Sequence, residues 1–151
     1  MFYRIVLMLA LVNLVTACAA RFPRRLSVNV TPFVPKAHTP FQRLSQKPAT
    51  EVKARLDYVA RQLRRQGIEV RSESPAWAEV QGMLARGDRR VGEALLSISH
   101  PTPAQWRKAV ADLGMTTDEL LAARPAGTPL PWDFVDFGAG KSPSEGHHKS
   151  S

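Results

Sequence analysis

The chain has 151 residues, 21 Lys and Arg against 13 Asp and Glu, and one cysteine. That length supports one ordinary globular domain, and a single thiol excludes a disulfide framework, an all-cysteine metal site and a three-cysteine iron–sulfur ligand set. The charge is regional: residues 1–75 carry 13 basic and 4 acidic side chains, whereas 76–151 carry 8 and 9. Between Arg43 and Arg71 the only aromatic is Tyr58, so a solvated basic face is favoured over a nucleic-acid surface, whose bases need stacking partners.

Residues 1–20 form an apolar segment with two readings. Met1–Arg4 followed by Ile5–Val15 has the charge and length of a signal peptide and is short for a membrane span. The run then enters Val15-Thr16-Ala17-Cys18, which resembles the lipobox of bacterial lipoproteins, with Cys18 as the lipid-attachment residue. The other reading is a buried helix with Leu14, Val15, Cys18 and Ala19 on its inner stripe.

Residues 21–72 read as an α/β unit. Leu26–Val30 alternates apolar and polar and predicts a half-buried strand. Pro32, Pro35 and Pro40 then stiffen an extended loop that holds Lys36, His38, Thr39 and Gln42. The spacing of Val52, Leu56, Val59, Ala60 and Leu63 predicts a helix over 50–66, with Glu51–Arg55 and Asp57–Arg61 as acid-first pairs. Gly67 ends it, and Ile68–Arg71 alternates as a second strand.

Residues 73–138 read as helical. Ser74-Pro75 opens a helix whose buried stripe is expected at Trp77, Val80, Met83 and Leu84. Gly87 and Asp88 end it and cap the next, which makes Arg86-Gly87-Asp88 a helix boundary rather than an adhesion tripeptide. Thr102-Pro103 begins a helix carrying Trp106, Val110 and Leu113, Gly114 closes it, and Thr116 with Glu119 has capping-box spacing. Leu130–Gly138 is the last ordered piece, and 139–151 is a disordered tail rich in Gly, Ser, Lys and His.

Independent chemistry is poorly supported. The four histidines, His38, His100, His147 and His148, have no HExxH spacing. Cys18 lies in an apolar run far from any histidine in sequence, which does not suit a catalytic thiol. Asp133 and Asp136 have no identifiable acid or base partner, so they read as surface or capping carboxylates.

Three segments in order nevertheless resemble one family. Phe33-Val34-Pro35-Lys36-Ala37-His38-Thr39-Pro40-Phe41-Gln42, Arg86-Gly87-Asp88-Arg89-Arg90 and Leu130-Pro131-Trp132-Asp133 resemble motifs of cobalamin-binding-domain radical SAM proteins. The family commonly has proline where Ala37 stands, and the tail after Gly138 is unlike it. The resemblance implies an α/β fold: the C-terminal fragment of a partial (β/α)₆ barrel, followed by an appended helical region, with residues 1–20 as a remnant barrel helix. The family's cofactors are S-adenosylmethionine, a 4Fe-4S cluster held by a CxxxCxxC loop, and cobalamin. That loop is absent from this sequence, so the resemblance implies a chain that is inactive and binds none of these alone, is cytoplasmic, and has the missing N-terminal part of the barrel as its partner. It further implies that Phe33, Val34, Pro35, Lys36, His38 and Gln42 line the S-adenosylmethionine or substrate side. The alternatives are a small lipoprotein anchored to a membrane through Cys18 and a basic nucleic-acid-binding module using Arg61, Arg64 and Arg65.

Overall fold

The computed structural model describes residues 2–136, and the expected tail, together with Phe137 and Gly138, lies outside the described residues. The fold is mixed α/β and rich in helix. Its elements are α1 (Phe2–Arg21), β1 (Ser27–Val30), α2 (Ala49–Arg65), β2 (Glu69–Ser72), α3 (Pro75–Arg86), α4 (Arg89–Ser97), α5 (Pro103–Asp112) and α6 (Thr117–Leu121).

The N-terminal part is a parallel βαβ unit preceded by a helix. β1 and β2 pair parallel, Ser27 opposite Glu69 and Val30 opposite Ser72. Alternation decides which face is covered. Val28, Val30 and Val70 turn toward α1 and α2, where Val12, Val59, Ala60, Leu63 and Ile68 complete one apolar cluster. Ser27, Asn29, Glu69 and Arg71 occupy the opposite, exposed face. Among the described residues, helices therefore cover one side of the sheet only. Gly67, at φ 73°, makes the left-handed turn that ends α2 and returns the chain to the sheet.

The two strand edges differ. Leu26 O accepts from Glu69 N at 3.3 Å. That bond sets the parity of the parallel ladder: Val28 and Val30 direct their backbone groups at β2, and Ser27 and Asn29 direct theirs away from it. On β2 it is Val70 and Ser72 that point outward. There the outward Val70 carbonyl accepts from Arg64 Nη2 at 3.2 Å, a charged blocker on an edge strand. Among the described residues no third strand lies beside either edge.

The helices α3 to α6 enclose a second cluster built on Val80, Met83, Val91, Ala94, Trp106, Val110, Leu120 and Leu121. Burial of each large apolar side chain contributes about 1.5–3 kcal/mol. The capping devices expected from sequence are present. Asp88, Thr102 and Thr116 accept from backbone N–H groups in the first turns of α4, α5 and α6, and Thr116 with Glu119 forms a full capping box. Pro75 is at the first position of α3, although Ser74 makes no side-chain cap bond.

Several sequence expectations are corrected. In α1 the inward residues are Met8, Val12, Val15 and Ala19, while Leu14 and Cys18 are exposed. A helix apolar on nearly every side has no polar face to set its phase, so contact with α2 sets it instead. In α3, Trp77 and Leu84 are exposed at 42% and 45%. The buried face is rotated toward Glu79, Met83 and Arg86, because two charged side chains are satisfied inside. In α2, Asp57 accepts from Lys53 at 2.6 Å rather than pairing with Arg61, whereas the Glu51–Arg55 pair forms as expected.

Candidate functional site

Because β1 and β2 are parallel, the loop after β1 and the helical region after β2 both leave from the C-terminal end of the strands. That end carries ligand sites in α/β folds. The three motif segments meet there.

The loop, residues 31–48, is held from inside. Pro35 is fully buried, and Phe33 packs edge-on against Phe41 with ring centres 5.9 Å apart. Val34 is half-buried. His38 has φ 55°, a left-handed backbone uncommon outside glycine though tolerated by histidine. Its N–H donates to Gln42 Oε1 at 2.9 Å, and Thr39 Oγ1 donates to Lys36 O at 2.8 Å. Lys36 and His38 are exposed. Of the six sequence-predicted site residues, Pro35 packs internally, Gln42 is engaged in the loop's own bonding, and Lys36 and His38 have outward side chains.

The second and third motifs lock onto this loop. Gln42 Oε1 also accepts from Trp132 Nε1 at 2.8 Å. Arg86, fully buried at the end of α3, donates through Nη1 to Leu44 O at 2.7 Å and Leu121 O at 3.3 Å, and through Nη2 to Ala122 O at 2.6 Å. Arg124 donates to Arg86 O at 2.6 Å and lies over the Trp132 ring at 5.1 Å, a cation–π contact. Arg43 Nη1 donates to Pro125 O and Thr128 O at 2.7 and 3.0 Å. Residues 122–133 thus form a strap buckled to the loop by paired backbone and side-chain bonds.

The electrostatics follow from crowding. Burial pushes the Arg86 guanidinium below its ordinary pKa, and nearby Arg124 adds to this; burial does the same to Arg124. Carbonyl oxygens, not carboxylates, receive the Arg86 charge. Asp88 is held below the usual carboxylate range chiefly by its side-chain bond to Arg90, which it contacts at 2.8 Å. Asp133 accepts from Leu130 N at 2.7 Å and closes the turn that carries Trp132, the capping role expected of it.

A second polar tie joins the two clusters. Buried Glu79 accepts from Ala49 N at 3.0 Å and from Arg107 at 2.7 Å, anchoring the start of α2 to α3 and α5. Buried Gln46 donates to Ala78 O at 2.7 Å. The cleft between them and α6 holds about 130 Å³, well below the roughly 300–1,000 Å³ of ligand pockets. Asp57, Arg61, Arg64 and Arg65 border an open concavity on α2.

The residues do not fit a 4Fe-4S cluster. The chain's one cysteine, Cys18, is exposed on α1, and a cluster takes three or more thiolates. Among the described residues no group of three His, Cys, Asp or Glu comes together, and no helix is long and apolar enough to cross a membrane.

Sequence reasoning missed Arg86 and Glu79 as interior residues. Their spacing was the available signal: 79, 83 and 86 fall on one helical stripe with Val80 and Met83. Comparison with known proteins returns no match: no family model, no curated protein and no solved structure.

Proposed function

We propose that this chain is the C-terminal end of a radical SAM-type barrel protein, a piece that continues the barrel wall and braces the loop at its mouth, without catalytic activity of its own. One observation carries this reading, the asymmetry of the sheet. On β2 the outward Val70 carbonyl is bonded by Arg64, while β1 turns the backbone groups of Ser27 and Asn29 toward an edge that no strand among the described residues covers. Helices cover the Val28, Val30 and Val70 face of the sheet, as helices cover the outside of a barrel wall. Parallel sheets, barrels included, are covered on both faces, so the exposed face of Ser27, Asn29, Glu69 and Arg71 is one that further protein is expected to cover.

The convergence of three distant motifs on one interlock supports the resemblance as well, since each segment holds the others in place. In such a barrel, S-adenosylmethionine and the cluster belong to the missing N-terminal part. Lys36 and His38 face the mouth, and the chain is cytoplasmic.

The lipoprotein alternative is weakened by packing. Cleavage before Cys18 removes Met8, Val12 and Val15 from the cluster with α2. The nucleic-acid alternative is weakened because Arg64 is engaged with Val70 O.

The test is to read the nucleotide sequence upstream of codon 1 in all frames. A CxxxCxxC loop followed by βα units leading to the α1 segment is the expected result. An unrelated gene and a ribosome-binding site directly before codon 1 would overturn the proposal.

A further inference from the structure

We infer that Trp132 is a positioning residue for the loop after β1, acting through Gln42 to hold His38 in its left-handed backbone conformation. The inference concerns this chain's own loop and stands whether or not the sheet belongs to a barrel.

The argument begins with one oxygen. A carboxamide oxygen has two acceptor positions, and Gln42 Oε1 receives two donors, the His38 backbone N–H at 2.9 Å and the Trp132 indole N–H at 2.8 Å. Their spacing in sequence differs widely. His38 is four residues from Gln42, within the same turn, and Trp132 is 90 residues away in the strap.

A left-handed, non-glycine residue persists only when its surroundings over-determine it. At His38, φ 55° is opposed by the side chain's own sterics and supported by the bond to Gln42. The carboxamide, in turn, keeps its oxygen toward the turn because the indole N–H meets it from the other side.

The strap holds the indole by contacts other than Gln42. Asp133 closes the turn on Leu130 N at 2.7 Å, Arg124 covers the ring at 5.1 Å, and Trp132 itself is buried. Strap, carboxamide and turn are therefore coupled in series, and through Gln42 the strap bears on the direction in which the exposed Lys36 and His38 side chains leave the loop.

The experiment uses the full chain and nuclear magnetic resonance, reading the His38 amide exchange rate and its HN–Hα coupling. In Trp132→Phe and Gln42→Leu the His38 amide is expected to exchange about tenfold faster, the worth of one lost hydrogen bond, with the coupling leaving its left-handed value. Gln42→Glu, which keeps an acceptor oxygen, is expected to retain both. The amides of Met83 and Val110, in the second cluster, stay unchanged in all three and report that the fold is intact. Should Trp132→Phe fail to fold, Asp133→Ala loosens the turn carrying the indole and makes the same test. Unchanged His38 exchange in Gln42→Leu, or a change there without one in Trp132→Phe or its substitute, would overturn the inference.

Discussion

Arg86 at the end of α3 and Leu44 in the loop after β1 are joined by a 2.7 Å bond from a fully buried guanidinium to a backbone carbonyl. The same guanidinium reaches Leu121 O and Ala122 O, so one side chain fastens the loop, α3 and the strap. Its planar fork presents two nitrogens to opposite sides, which an ammonium cannot do. Arg86→Lys and Arg86→Leu are both expected to destabilise the chain by about 3 kcal/mol or more, since buried carbonyls lose their donor. Urea midpoints check this, and a loss below about 1 kcal/mol in either variant would contradict the keystone role.

Asp88 supplies a pH dependence with a definite sign. Its carboxyl is held below its ordinary range by Arg90. Its stabilising contribution is thus present above the unfolded-state pKa, about 3.9, and is lost as pH falls through the lower folded value. Asp88→Asn keeps a cap oxygen for Arg90 N and is expected to flatten the acid limb of stability with little change at neutral pH. Asp88→Ala is expected to lose about 1 kcal/mol at neutral pH as well. Thermal unfolding of both variants across the acid range separates the cap from the charge.

Gly82 is sterically required. A Cβ there would stand 2.0 Å from Gln46 Oε1 and 2.8 Å from Leu121 Cδ2. Alanine ordinarily gains about 1 kcal/mol over glycine within a helix. Here Gln46, buried and bonded to Ala78 O, must move, and Gly82→Ala is expected to destabilise by about 1–2 kcal/mol net. In a double-mutant cycle Gln46→Ala is expected to recover part of that loss, and strict additivity would refute the clash.

The outer face of α1 bears exposed Leu7 and Leu14, at 68% and 63%, opposite Val12 in the cluster. Leu7→Lys with Leu14→Lys is expected to leave the melting temperature within a few degrees. Val12→Asp is expected to cost about 3 kcal/mol or more, because a carboxylate replaces a packed side chain. Equal effects from both faces would contradict the assigned orientation of α1.

Sequence pattern carried most of the local structure and little of the interlock. The strands, the amphipathic α2 and the caps at Asp88, Thr102 and Thr116 were legible because each depends on residues within one or two turns. The phase of α1 was not, since its apolar residues run on every side. The inward face of α3 was misread at Trp77 and Leu84 because Glu79 and Arg86 are buried by partners distant in sequence, Arg107, Leu44 and Ala122. The candidate loop was recognisable from its prolines and polar residues, but the link from Gln42 to Trp132 spans 90 residues and no local spacing encodes it.

The most direct test of the open wall is residue-resolved amide exchange of the dilute monomeric chain along β1. Ladder parity predicts protected amides at Val28 and Val30, which face β2, and fast exchange at Ser27 and Asn29, which face the open edge. Equal protection of all four would mean that the edge is already satisfied within this chain, and would contradict the reading of β1 as the strand on which the rest of a barrel is built.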